Sequence, residues 1–317
     1  MNLRFLIIPI SLFILGCNDS SKEVQAPIPS QLENEVYIKI LGVAQDGGMP
    51  HINNPKEFKA VADARRTREL VVSLGLIDRE HQKKYLFEAT PDMPEQLYLL
   101  DKELPTASII DGVFLTHAHM GHYTGLMHFG REAMGSKDIP VYAMPKMKTF
   151  LETNGPWSQL VDLKNIAIQS MQGDSLITLS RKLKITPFLV PHRDEFSETV
   201  GYRIEGPNRT ALFIPDINKW SLWEKSIVEE VKKVDYAFID ATFFSEGEIP
   251  RPMSEVPHPF IDETTVFFKD ENKTVKSKVI FIHFNHSNPA LYKNNSKRIA
   301  LEEEGYRFAN QGAIFGL

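Results

Sequence analysis

Thr116-His117-Ala118-His119-Met120-Gly121-His122 follows directly on the apolar run 109–115 and sets three imidazoles within six positions. The run has the length and composition of a buried strand, and the polar turn opens where it ends. Such a turn aims several nitrogen donors at one point, and neutral imidazole suits zinc, iron and nickel. An isolated histidine is ordinarily a surface residue or a hydrogen-bonded core residue. Three at this spacing behind a strand read as a metal site.

The chain on either side alternates strands and helices. Residues 36–43 form a strand-like run stopped by Asp46-Gly47-Gly48, a turn that no strand carries through. The short apolar segments 70–77 and 85–88 flank the charged turn 78–84 and read as a hairpin, and the spacing of Met93, Leu97 and Leu100 predicts a helix over 91–100. Beyond the histidines the pattern predicts a helix over 123–133, a strand over 141–143 and a helix over 145–152. Pro145 falls in that last helix's first turn, where its missing N–H costs nothing. Strands 183–190 and 200–204 bracket a polar loop. A strand over 211–214 ends in Pro215-Asp216, an amphipathic helix follows over 222–231, and strands 236–239, 278–284 and an edge strand over 310–315 complete the order. Each polar cluster follows the carboxyl end of a strand, the rim on which open α/β sheets carry their ligands. No solenoid-type repeat is visible.

The first residues carry Arg4, then a nearly unbroken apolar stretch 5–15, then Ile14-Leu15-Gly16-Cys17. That stretch is well short of the roughly 20 residues a membrane-crossing helix needs, so it reads as a cleaved export signal over 1–16. It resembles a bacterial lipoprotein signal with its lipobox. Cys17 is the only cysteine in the chain, has no disulfide partner, and is expected to carry lipid. Residues 17–34 are polar, with Pro27 and Pro29, and read as a tether holding a domain over 35–317 off a bacterial membrane, outside the cytoplasm. A net charge of −5 and the lack of a long Lys/Arg run argue against nucleic acid as the main partner.

Further polar residues stand at or just beyond strand ends: His192 in Val190-Pro191-His192, Asp216 in Phe213-Ile214-Pro215-Asp216, and His283 in Phe281-Ile282-His283-Phe284. In order and context these motifs resemble the metallo-β-lactamase superfamily over nearly the whole chain after the tether. The resemblance implies a four-layer αββα sandwich holding one or two metals between its sheets. It also implies that His117, His119 and His192 bind the first metal, that Asp216 bridges, and that His122 and His283 bind the second. The superfamily motif is His-x-His-x-Asp-His, and Gly121 stands where the acid belongs. A second cation is therefore short of a carboxylate, to be made up by Asp46 or by water.

Two branches are nearer. Residues 41–51, Leu-Gly-Val-Ala-Gln-Asp-Gly-Gly-Met-Pro-His, are similar to the first turn of the pyrroloquinoline quinone biosynthesis B proteins and of the ribonuclease Z and phosphodiesterase branch. The segment 282–289 resembles the B proteins' carboxy-terminal motif. Their paired-cysteine structural zinc site cannot exist with Cys17 as the lone cysteine. Asp240 in Ile239-Asp240-Ala241-Thr242 resembles the acid of the ribonuclease Z branch, and His258 in Val256-Pro257-His258-Pro259 lies where that branch has its proton donor. A carboxylate bonded to the imidazole would hold His258 as a general acid; the plainer alternative is a loop histidine capping a turn. His286 is expected to orient His283 or to replace it. His51 either lines the pocket mouth or is a turn histidine, and His81 and His128 are assigned no function. Arg193, Asp194 and Glu195 form a charged loop beside His192, solvated or substrate-binding.

The expected activity is hydrolysis of an ester-like bond, phosphodiester or lactone, in a small molecule by a metal-activated hydroxide. The metal is expected to be Zn2+, one or two ions, with Mn2+ or Fe2+ as alternatives. Two other readings stand beside it: an iron-dependent oxygenase, as the B-protein resemblance implies, and a non-catalytic binding lipoprotein that kept the fold after losing the acid at Gly121.

Overall fold

The computed structural model describes residues 36–250 and 252–317. The expected signal 1–16 and tether 17–34, with Cys17, lie outside them. No helix among the described residues is long and apolar enough to cross a membrane.

The first half of the chain supplies strands β1 (Val36–Gly42), β2 (Ser73–Asp78), β3 (Lys83–Phe87), β4 (Gly112–Phe114), β5 (Ile139–Ala143) and β6 (Ile166–Ser170). The second supplies β7 (Ile177–Ser180), β8 (Leu183–Leu189), β9 (Val200–Glu205), β10 (Thr210–Ile214), β11 (Tyr236–Asp240), β12 (Val279–Ile282), β13 (Arg307–Phe308) and β14 (Ile314–Gly316). They form two seven-stranded sheets, ordered β14-β1-β2-β3-β4-β5-β6 and β13-β12-β11-β10-β9-β8-β7. Both are mixed: β1, β2 and β3 pair antiparallel before β3 to β6 run parallel, and β8, β9 and β10 pair antiparallel before β10 to β13 run parallel.

Side-chain alternation builds the layers. Along β1, Val36, Ile38 and Ile40 enter the core shared with the second sheet, while Tyr37 and Leu41 enter a separate core under the helices of the first sheet. That two-residue period buries both faces of the strand. The inter-sheet core joins Phe87 and Phe114 to Tyr202 and Phe213, edge to face. Met93, Leu97 and Leu100 from the helix Met93–Glu103, and Met147 and Leu151 from the helix Pro145–Thr153, close the outer face of the first sheet. Ile227, Val231 and Ile261 from the helices Ile227–Lys232 and Ile261–Phe267 close the other. The order helix, sheet, sheet, helix is the four-layer α/β sandwich expected.

Two of the expected helices differ from the sequence expectation. Residues 123–133 are not one helix: the helix Met120–Tyr123 passes into a 3₁₀ segment, Thr124–Phe129. Gly125 N–H donates to the Ala89 carbonyl at 2.8 Å and not along its own segment, an approach so close that a Cβ at Gly125 would overlap the Thr90 carbonyl oxygen. Residues 222–231 are also broken. Trp220 donates to Thr264 and Trp223 to the Leu189 carbonyl, so the chain stays extended at Trp223. A helix then starts at Ile227 under a Ser226 cap.

Candidate metal centre

The carboxyl ends of strands from both sheets converge on one point. From the first sheet, β4 leads through Leu115 to Thr116 and His117, and the turn after β1 brings Asp46. From the second, β8 leads to His192, β10 to Asp216, β11 ends in Asp240 and β12 runs into His283. Possible ligand atoms of His117, His119, His192 and Asp216 lie within 4.8 Å of one another, as do those of Asp46, His122 and His283, and those of Asp216, Asp240, His258 and His283. The eight residues read from sequence as a site are therefore brought together.

Asp216 is the hub. Its Oδ2 lies 3.1 Å from His192 Nε2, 3.3 Å from His117 Nε2, 3.8 Å from His122 Nε2 and 3.9 Å from His119 Nδ1. Burial alone would raise its pKa, but the facing charges of His258 and His192 outweigh burial and hold the carboxyl well below its ordinary range. For His117, burial and then the neighbouring His122 charge push the imidazole well below its ordinary value, into the neutral form that a ligand requires. At His122, burial is outweighed by Glu88 and Asp46, which favour positive charge there.

Several inward-facing atoms have no hydrogen-bond partner although they are buried: His117 Nε2, His122 Nε2, His283 Nε2 and Asp216 Oδ1. Leaving such groups unpaired costs about 1–3 kcal/mol each. The far nitrogens, by contrast, face partners. His117 Nδ1 lies 2.8 Å from Thr116 Oγ1, which donates to Glu88; His122 Nδ1 lies 3.3 Å from the same Glu88, an ion-pair contact without a hydrogen bond. His192 Nδ1 pairs with Asn218 at 3.1 Å, His119 Nε2 with Glu195 at 3.4 Å and His283 Nδ1 with Thr242 at 2.9 Å. His117 and His283, each held from behind with Nε2 unspent, have the form of metal ligands, while His192 Nε2 and His119 Nδ1 lie 3.2 Å from each other and face the same Asp216 carboxylate. The donor set of imidazoles and carboxylate fits a divalent transition metal.

Strain gathers here too. Asp46, Glu88 and His283 have φ of 24°, 75° and 67°, a left-handed conformation that costs a non-glycine residue free energy and clusters at functional sites. Asp240 Oδ2 lies 2.9 Å from His258 Nδ1, and Asp216 Oδ1 lies 3.1 Å from the same nitrogen. Burial opposes the charge on His258, but the two carboxylates outweigh it and push its pKa up to about 10.

His286 corrects the expectation made for it. It does not orient His283, since its Nδ1 bonds Glu57 at 2.9 Å and its ring stacks on His51 at 4.2 Å. His51 donates its backbone N–H to that same Glu57. His81 pairs with Asp78 at the surface. Sequence reasoning missed Glu88, Thr116, Asn218 and Thr242. Only Glu88 carried a signal, as an acid directly after the apolar Tyr85-Leu86-Phe87.

Residues 83–284 match the beta-lactamase superfamily domain, and the chain belongs to the metallo-β-lactamase superfamily. Within it, the chain is similar to coenzyme PQQ synthesis protein B of Gluconobacter oxydans, 23% identical over 309 residues that cover 89% of this chain and 99% of that protein. The Cupriavidus necator protein of the same description is 24% identical, covering 88% and 99%. Among solved structures, zinc-bound PqqB from Methylobacterium extorquens superposes with a TM-score of 0.71 at 19% identity, covering 89% of this chain and 100% of that one. A diphosphatase of the PhnP family gives 0.61 at 21%, covering 89% and 97%.

Proposed function

We propose that the protein is a metal-dependent hydrolase that cleaves an ester-like bond, phosphodiester or lactone, of a small molecule. The observation that carries this reading is the unspent, buried nitrogen and oxygen atoms around Asp216, beside an imidazole–carboxylate pair. His117 Nε2, His119 Nδ1, His192 Nε2 and Asp216 would hold a divalent cation, zinc first and manganese or iron(II) as alternatives. Such a cation supplies Lewis acidity and an activated water near neutral pH. His258 is kept in its doubly protonated form by the contacts of its Nδ1 with Asp240 and Asp216, and the proton on its other nitrogen, Nε2, is the one it delivers to the departing oxygen. Asp240, fully buried and bonded to Thr242 as well, orients that ring.

A cleft of about 620 Å3 lined by Lys146, Phe150, Asp194, Glu195 and Phe196 adjoins His119 through Glu195, a volume suited to a small substrate. Its two acids and the net charge of −5 speak against a polyanionic nucleic acid. Export and lipid attachment through Cys17 belong to the same proposal and rest on the first 17 residues alone.

The test is elemental analysis of protein purified without added metal, paired with assays on chromogenic phosphodiesters and lactones. Chelation is expected to abolish turnover, and His258→Ala to lower kcat by about 10²–10⁴-fold with metal content retained. Full activity after chelation overturns the reading. The similarity to PQQ synthesis protein B keeps the iron-dependent oxygenase as the second reading; bound iron with oxygen-dependent turnover would select it.

A further inference from the structure

We propose that Asp46 is the acidic ligand of a second divalent cation, held together with His122 Nε2 and His283 Nε2, and that it replaces the acid missing at position 121. The inference rests on the metal-binding reading above.

Asp46 Oδ1 lies 3.4 Å from His122 Nε2, and the three ligand atoms fall within 4.8 Å of one another. Both imidazoles are fully buried, and both Nε2 atoms lack a hydrogen-bond partner. His283 turns its other nitrogen to Thr242 and Asp240, at 2.9 Å and 3.6 Å, which directs Nε2 away from them. Asp46 is 48% exposed, so it stands on the solvent side of the two buried imidazoles.

Position 121 shows why the exchange is needed. A Cβ there would overlap Asp46 Oδ1 and lie 2.6 Å from Asp46 Cα and 2.9 Å from its Cγ. An acid at 121 and this placement of Asp46 are therefore mutually exclusive, and Gly121 is what admits the Asp46 carboxylate. The turn is also tied to the histidine it serves. Gln45 N–H donates to the Phe284 carbonyl at 2.8 Å, and Asn285 Nδ2 donates to Gln45 Oε1 at 2.7 Å, so Asp46 and His283 are fixed to one frame. Imidazole ligands bring no negative charge, so Asp46 adds the carboxylate that a shared Asp216 alone does not give a second dication.

Metal-free protein loaded with Zn2+ and freed of excess is expected to retain two equivalents per chain. Asp46→Gly removes the carboxylate at a backbone angle that glycine adopts without strain, so it is expected to fold, keep one equivalent and unfold in metal-free form at the wild-type temperature. Asp46→Asn, which preserves shape, is expected to weaken the second equivalent, and Gly121→Ala to do the same by displacing the carboxylate. Two equivalents retained in Asp46→Gly overturn the proposal, as does a single equivalent in the wild type, while the hydrolase reading survives both. No zinc in either protein removes both readings.

Discussion

His258 illustrates how single residues here are governed by their neighbours. Burial alone would lower its pKa, yet Asp216 and Asp240 at 3.1 and 2.9 Å raise it from 6.5 to about 10. A group whose folded pKa is raised stabilises the fold fully below its unfolded value and loses that contribution as pH rises through the folded value. Metal-free protein is therefore expected to lose stability between pH 6.5 and 10, and His258→Gln to flatten that slope. Urea unfolding of both at several pH values measures it; parallel slopes would show that the carboxylates do not act through this ring. The same residue shows how much of the site is legible. His258 stands out as a histidine between prolines, and the His117, His119, His122 run announces itself. Glu88 and Thr116 do not, because their task, holding the far nitrogens of His117 and His122, depends on two strands lying side by side.

At the scale of elements, β4 bears the most on the site for its length. It has three residues, pairs parallel with β3 and β5, and ends two residues before Thr116. Phe114 fixes it, stacked on Tyr142 at 4.2 Å and 5° and on Phe87 at 4.9 Å and 14°. Phe114→Ala is expected to cost about 3–5 kcal/mol, measured by denaturant unfolding, and to loosen the histidine turn. A loss below 1 kcal/mol would mean that the strand is held by its ladders alone. Strands like this are legible because burial on both faces leaves a mostly apolar run, here Ile109 to Leu115 interrupted only by Asp111 and Gly112. Helices were less so. Ser296–Glu304 buries only Arg298 and shows no apolar stripe to read, its signals being the Asn295 cap and Gly305 at φ 111°. The broken pattern after Trp220 follows from indole hydrogen bonds to Thr264 and Leu189, contacts distant in sequence.

The whole molecule is two sheets whose common rim is the site. The first sheet contributes the His117 to His122 turn, Glu88 and Asp46; the second contributes His192, Asp216, Asp240 and His283. A cation bound by His117, His192 and Asp216 would thus join the two sheets and pair His117 Nε2, which otherwise lacks a partner. Binding only to the folded state stabilises by an amount that grows with the logarithm of free ligand, about 2.7 kcal/mol at a hundredfold excess over Kd. For a chain of this size that corresponds to roughly 5 °C in Tm. Differential scanning calorimetry is expected to show Tm falling on chelation and climbing with each decade of added Zn2+. His117→Ala with Asp216→Ala should abolish the climb, because it removes ligands from both sheets at once. A wild-type Tm indifferent to chelator and to zinc over several decades would mean that the convergence of the two sheets does not bind metal, and would leave the unpaired atoms of His117 and Asp216 without a physical reason.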